Sequence, residues 1–189
     1  YKWLNHYKNT VLDRFDSDRE MDDSIGDDAI AVLSEQDVPT TMGYHSENIE
    51  IRRPVENRLE AEGRDGYLAF EESFPGRAET VSMVNGAAIA RQHDCDDDFY
   101  AVHISSHRTV KELRAIREAG YRLTGETCPH NLTLTSEECD DRMKVGPPIR
   151  HEKDQEALWG AIADGTIQCI GTDHIANTLD QKVGDTIWD

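Results

Sequence analysis

Thr166-Ile167-Gln168-Cys169-Ile170-Gly171-Thr172-Asp173-His174 is the stretch whose reading decides the fold. Ile167, Cys169 and Ile170 are apolar and suit a strand inside a parallel sheet. A polar pair, Asp173 and His174, follows where that strand should end. Upstream, Asp154 to Asp164 reads as a helix with Ala157, Leu158, Ala161 and Ile162 on one face, and Gly165 stands where such a helix stops. Helix, Gly, apolar strand and then a polar pair at the strand's C-terminal end is the grammar of a βα barrel or an open α/β sheet, and in both the chemistry sits at that end of the strands.

The same rhythm recurs along the chain. Strands are predicted near Lys2, over Thr40 to Tyr44, over Phe99 to Val102, over Tyr121 to Gly125 and at Ile167. Helices are predicted from Ser24, as a cap, to Gln36, from Gly76 to His93, and from Thr109 to Ala119, closed by Gly120. Ile49 to Glu62 is compatible with helix, but Pro54 should interrupt it. Pro147-Pro148 rules out regular structure between Met143 and Arg150. Five strands fall short of the eight of a closed barrel, so the expectation is either an open sheet or one portion of a larger barrel.

The length of 189 residues suits one domain. A net charge of -18 argues against a nucleic-acid partner, whose phosphates it would repel. No stretch is long and apolar enough for a membrane span, and no signal peptide opens the chain. Cys95, Cys128, Cys139 and Cys169 form no CxxC pair, which fits free thiols and a cytoplasmic location.

His45, His103 and Asp173 each stand at the C-terminal end of a predicted parallel strand, so all three should reach one mouth. Imidazole and carboxylate are the donors that a divalent ion such as zinc takes. Structural histidines in an open sheet are the alternative on spacing alone.

Several runs resemble the cyclic amidohydrolases, the group of hydantoinases, dihydropyrimidinases, allantoinases and dihydroorotases, in family order. They are Gly43-Tyr44-His45-Ser46-Glu47-Asn48, Ala101-Val102-His103-Ile104-Ser105-Ser106, the run Glu126-Thr127-Cys128-Pro129-His130-Asn131-Leu132, Lys144-Val145-Gly146-Pro147-Pro148-Ile149-Arg150, and Gly171-Thr172-Asp173-His174. Tyr1-Lys2-Trp3-Leu4-Asn5-His6-Tyr7-Lys8-Asn9 is similar to the group's fourth barrel strand.

The resemblance implies a fold and a chemistry. The fold is α/β, about strands four to eight of a TIM-type (β/α)8 metal-dependent hydrolase barrel, with residues 1–189 as a C-terminal portion of a longer chain. The chemistry is hydrolysis of a cyclic amide C–N bond, hydantoinase- or dihydropyrimidinase-like, with dihydroorotase or allantoinase as alternatives. A non-catalytic member that binds or assembles is the rival from another class.

The metal ligands implied are Lys2, His45, His103 and Asp173, with two zinc ions bridged by a carboxylated Lys2 in the full-length protein. Asp173 would also be the general base, and Tyr7 would stabilise the oxyanion. Tyr7, Gly146 and Asn177 would meet a small cyclic amide substrate. Asn177 stands where dihydroorotases carry His, which weakens that reading. A homo-oligomer is implied as well. The group's first-strand His-x-His pair does not occur among the eight histidines of this sequence.

The acidity is spread along the whole chain, with 38 acidic residues against 20 basic ones, and Asp clusters as in Asp96-Asp97-Asp98. That pattern reads as adaptation to high salt, where self-repulsion among surface carboxylates is screened. The melting temperature is therefore expected to rise as KCl is taken from low to molar concentration. A melting temperature indifferent to salt would overturn this reading.

Overall fold

The computed structural model describes residues 2–4, 23–35, 41–182 and 184–188. Its centre is a five-stranded, all-parallel sheet in the order β1 (Lys2–Leu4), β2 (Met42–His45), β3 (Phe99–Ala101), β4 (Thr124–Thr127) and β5 (Cys169–Ile170). Neighbouring strands are consecutive in the chain. That is the order of a barrel wall, in which every crossover advances one strand in the same direction. The pairing sets Leu4 opposite His45, Tyr44 opposite Ala101, Ala101 opposite Gly125 and Glu126 opposite Cys169.

Alternation along each strand sorts the side chains. Met42, Tyr44, Phe99 and Ala101 are buried. They pack with Met83, Ala87 and Ala90 of α4 (Gly76–Gln92) and with Leu113 of α5 (His107–Glu118). Leu158 and Ala161 of α7 (Glu152–Ala163) complete this core. Between them in sequence, Gly43, Tyr100, Thr124 and Glu126 fall on the other face and are only partly covered. A second, smaller core gathers Tyr67, Phe70 and Phe74 around α3 (Tyr67–Ser73) with Ile149 and Ile187. Among the described residues, no helix is long and apolar enough to cross a membrane.

The expected helices and strands are present, with shifted edges. Helix α1 (Asp23–Ser34) begins one residue before Ser24, so Ser24 lies within it rather than capping it, and Gln36 falls outside the described residues. Thr40 also lies outside them, and β2 starts at Met42. Helix α2 (Ile49–Ala61) runs unbroken through Pro54, against expectation. The carbonyl that Pro54 cannot serve belongs to Glu50, an exposed residue near the start of the helix. The helix start is fixed by Asn48, whose Oδ1 accepts from Ile51 N at 3.0 Å.

Strand β4 starts at Thr124 rather than Tyr121. Arg117 donates to the Leu123 carbonyl at 2.5 Å, and the ladder begins only beyond that point. Strand β5 is shorter than expected because Gln168 does part of the pairing with its side chain. Its Oε1 accepts from Gly125 N at 2.9 Å and its Nε2 donates to Thr166 O at 3.0 Å. Two short helices, α3 and α6 (Pro129–Thr133), have too few residues to show a period in sequence. Gly165 ends α7 with φ of 76°, the left-handed conformation a helix stop requires.

Gly86 is the tightest point between α4 and the sheet. A Cβ there would lie 2.6 Å from Tyr44 Cζ and 2.9 Å from Phe99 Cε2, both on fully buried rings. Gly86→Ala is therefore expected to destabilise the protein by about 1–3 kcal/mol through overpacking, despite the better helix propensity of Ala. Urea denaturation of the two proteins checks this.

Candidate metal centre

The parallel sheet delivers its strand ends to one mouth. His45 is the last residue of β2, and His103 stands two residues beyond β3. Both imidazoles are buried, and His103 Nε2 and His45 Nδ1 share a hydrogen bond at 2.7 Å. Their rings meet edge to face with centroids 4.5 Å apart. Glu47, two residues past His45, is buried beside them. One donor atom from each of His45, Glu47 and His103 lies within 4.8 Å of the others. Two imidazoles and a carboxylate closing on one buried point are a donor set that fits a divalent metal ion.

The electrostatics around Glu47 are unusual. Burial pushes its carboxyl up to about 7; Arg52 and Arg150 pull it down, while Glu79 and Asp173 push it further up. A buried carboxyl among other carboxylates is costly to ionise unless a cation stands near it. Arg52 is itself mostly enclosed, with its guanidinium 3.5 Å above the Phe74 ring.

Beside this group lies an open cavity of about 600 Å³, whose wall includes His45, Glu47, His130, Gly146, Asp173 and Asn177. The structure thus brings His45 and His103 into contact and sets Asp173, Gly146 and Asn177 on the cavity that His45 also lines. Asp173 is exposed to that space and does not belong to the three-residue group. Lys2 is described only as strand backbone, paired with Gly43 two residues before His45. Tyr7 lies outside the described residues.

His103 and Asp173 share a further property. Their φ values are 41° and 44°, in the left-handed region that costs a non-glycine residue about 1–3 kcal/mol. Strain of this kind at two strand ends facing one mouth is characteristic of functional positions.

Behind the mouth lies a buried charge cluster that sequence reading did not assign. Glu79 accepts from Ser105 N at 3.2 Å and from Ser106 N at 3.0 Å, and also from the Ser105 hydroxyl. Arg150 donates to Ser105 Oγ at 2.8 Å and to the Phe74 carbonyl at 2.6 Å, with Glu71 and Glu79 at 3.3 and 3.7 Å. Glu47 was also missed as a donor. Its position two residues after a strand-end His was the available signal. The thiol of Cys128, next to the N-terminus of α6, is buried and pushed up to about 12 by that burial, so it stays protonated.

No family model matches the chain. It is 40% identical over 131 residues to an allantoinase of Streptomyces avermitilis, a match covering 67% of this chain and 29% of that protein. It is 34% identical over 112 residues to a dihydroorotase of Staphylococcus epidermidis, covering 58% of this chain and 26% of that one. A D-hydantoinase from Bacillus sp. AR9 superposes with a TM-score of 0.79 at 25% identity, over 93% of this chain and 37% of that one. The chain therefore spans roughly a quarter to two fifths of the length of the proteins it matches.

Sheet order, strand-end histidines and the superposition define part of a (β/α)8 barrel of the metal-dependent hydrolase type, about strands four to eight. Within that class, the chain belongs to the cyclic amidohydrolase group.

Removing one member of the buried charge cluster should be severe. Arg150→Ala is expected to cost about 3–5 kcal/mol of stability, because it leaves Glu79 buried without its cation. Equilibrium denaturation in guanidinium chloride checks the value.

Proposed function

We propose that this chain forms the metal-binding strands of an enzyme that opens a cyclic amide by hydrolysing its C–N bond. The observation that carries this reading is the convergence of His45, Glu47 and His103, with Asp173 on the adjoining cavity, in a member of the cyclic amidohydrolase group. The hydantoin and dihydropyrimidine rings are the preferred substrate class, supported by the superposition on a D-hydantoinase. Allantoin is the second reading, favoured by the 40% identity to an allantoinase. The 189 residues are then a portion of a longer barrel that works in the cytoplasm as a homo-oligomer.

His45, His103, Asp173 and a carboxylated Lys2 would hold two zinc ions. An ammonium cannot bind a cation, whereas a carbamate on the same nitrogen is an anion with two donor oxygens. The bound ions would supply Lewis acidity toward the ring carbonyl and the attacking water. Glu47, whose carboxyl burial makes costly to ionise, would carry its negative charge once cations stand beside it.

The carboxylate of Asp173 takes a proton from the water as its oxygen bonds to the ring carbon. Asp173 then passes that proton to the ring nitrogen as the C–N bond breaks. Tyr7 donates its phenol to the developing oxyanion. The backbone at Gly146 and the side chain of Asn177 orient the ring from the cavity wall. Asn177 carries no charge to pair with a ring carboxylate, which disfavours dihydroorotate.

Ring-opening assays on the full-length protein with hydantoin, dihydrouracil, allantoin and dihydroorotate test the proposal. Turnover of the uncharged rings with little turnover of dihydroorotate is expected, and preference for dihydroorotate would reverse the ranking. Asp173→Asn should lower kcat by about 10²–10⁴-fold with the fold retained, since the amide keeps the size and loses the basic oxygen. Near-normal turnover in that variant would show that Asp173 is not the general base.

A further inference from the structure

We infer that Glu126 is a positioning residue for the metal centre: it holds the main chain of His103 in the left-handed turn that brings this imidazole onto His45. The inference rests on the metal-dependent reading above and assigns a role to a strand residue that the mechanism does not use.

Glu126 grips the His103 turn at two consecutive amides. Its carboxylate Oε1 accepts from His103 N at 3.2 Å, and its own carbonyl accepts from Ile104 N at 2.7 Å. Two residues earlier, Val102 N still donates to Tyr44 O on β2. In a regular parallel strand, residues 102 and 104 would send their N–H groups to the same neighbour. The positive φ of His103 turns the second of them from β2 to β4, where Glu126 receives it. Without that reversal the chain beyond Ala101 would continue as strand, and the His103 side chain would leave the strand end in another direction.

The carboxylate is in turn fixed from two sides. Tyr100 donates its hydroxyl to Glu126 Oε2 at 2.6 Å. On the far side stands Gly171, where a Cβ would overlap Glu126 Oε2 and lie 2.5 Å from its Cδ. The absence of a side chain at residue 171 is therefore a condition for the Glu126 carboxylate to occupy this place. Gly171 N donates to Thr127 O at 3.0 Å, so its backbone has little room to retreat.

The test is a cobalt(II) titration of the full-length protein, followed by visible absorption, with circular dichroism melts confirming the fold of each variant. Glu126→Ala should weaken cobalt binding by about 10–100-fold, the usual effect of removing a partner that orients a ligand, and should alter the ligand-field bands. Glu126→Gln keeps an oxygen that can accept from His103 N and should retain most of the affinity. Gly171→Ala leaves every polar group in place and should nevertheless reproduce the loss by displacing the carboxylate. The double variant should be no worse than Glu126→Ala, because the clash then has no partner.

A wild-type protein that takes up no cobalt would overturn the metal reading, and this inference with it. If wild type binds cobalt and Glu126→Ala binds it equally, with the same bands, only the positioning role falls.

Discussion

A guanidinium and a carboxylate buried together, Arg150 and Glu79, hold the back of this structure in place. Each of the two groups is almost fully enclosed. Moving either from water into the interior costs several kcal/mol unless its donors and acceptors are met. They are met by groups from separate parts of the chain: Ser105 and Ser106 beyond β3, the Phe74 carbonyl at the end of α3, and Glu71 within α3. Glu79 brings the first turn of α4 to this point, and Arg150 brings the segment with Pro147 and Pro148. The exit of β3, which carries His103, is thereby fixed from behind by fully committed polar groups.

That arrangement accounts for the strain at the mouth. A residue such as His103 keeps a left-handed φ only where its neighbours over-determine the backbone. Ile104 N is bound to β4, and Ser105 and Ser106 are bound to Glu79, so the three residues after His103 have little freedom. Glu47 meets the same rigid surroundings from the other side. Its carboxyl is desolvated between Arg52 and Arg150 and pushed toward the neutral form by the nearby Glu79 and Asp173. The folded chain thus maintains a concentration of carboxylates and imidazoles that would relax if the backbone allowed it. A site of this kind suits a cation, whose charge compensates what the protein alone leaves costly.

What the sequence made legible followed from periodicity and from the rules for strand ends. Strand-like runs at Thr40 to Tyr44 and Phe99 to Val102, with helical faces such as Leu158 and Ala161, placed the sheet and its crossovers. They also placed His45, His103 and Asp173 at the same end of it. What stayed illegible depended on contacts between distant segments. No local pattern distinguishes Glu79, which is buried with Arg150 from 71 positions on, from the exposed Glu residues of this acidic chain. Glu47 and Glu126 lay inside recognisable motifs; the contact of Glu126 with His103 depends on a strand register that no local pattern specifies. Pro54 shows the converse. A strong local rule predicted a break, yet the one backbone bond that Pro54 cannot make falls at an exposed residue near the start of the helix.

Another part of the cavity wall depends on a different set of forces. Met143, Val145 and Ile149 line or flank that side and pack on the second core with Tyr67, Phe70 and Ile187. Lys144 Nζ donates to the Ile187 carbonyl at 2.6 Å, and Lys182 Nζ donates to the carbonyls of Arg142 and Lys144 at 3.3 and 3.2 Å. Trp188 Nε1 donates to Arg64 O at 2.9 Å, and Ile187 N to Asp65 at 2.8 Å. The segment after β5 therefore runs from Asp173 past Lys182 and is tied down again beside α3. It forms one side of the cavity by spanning two anchored points.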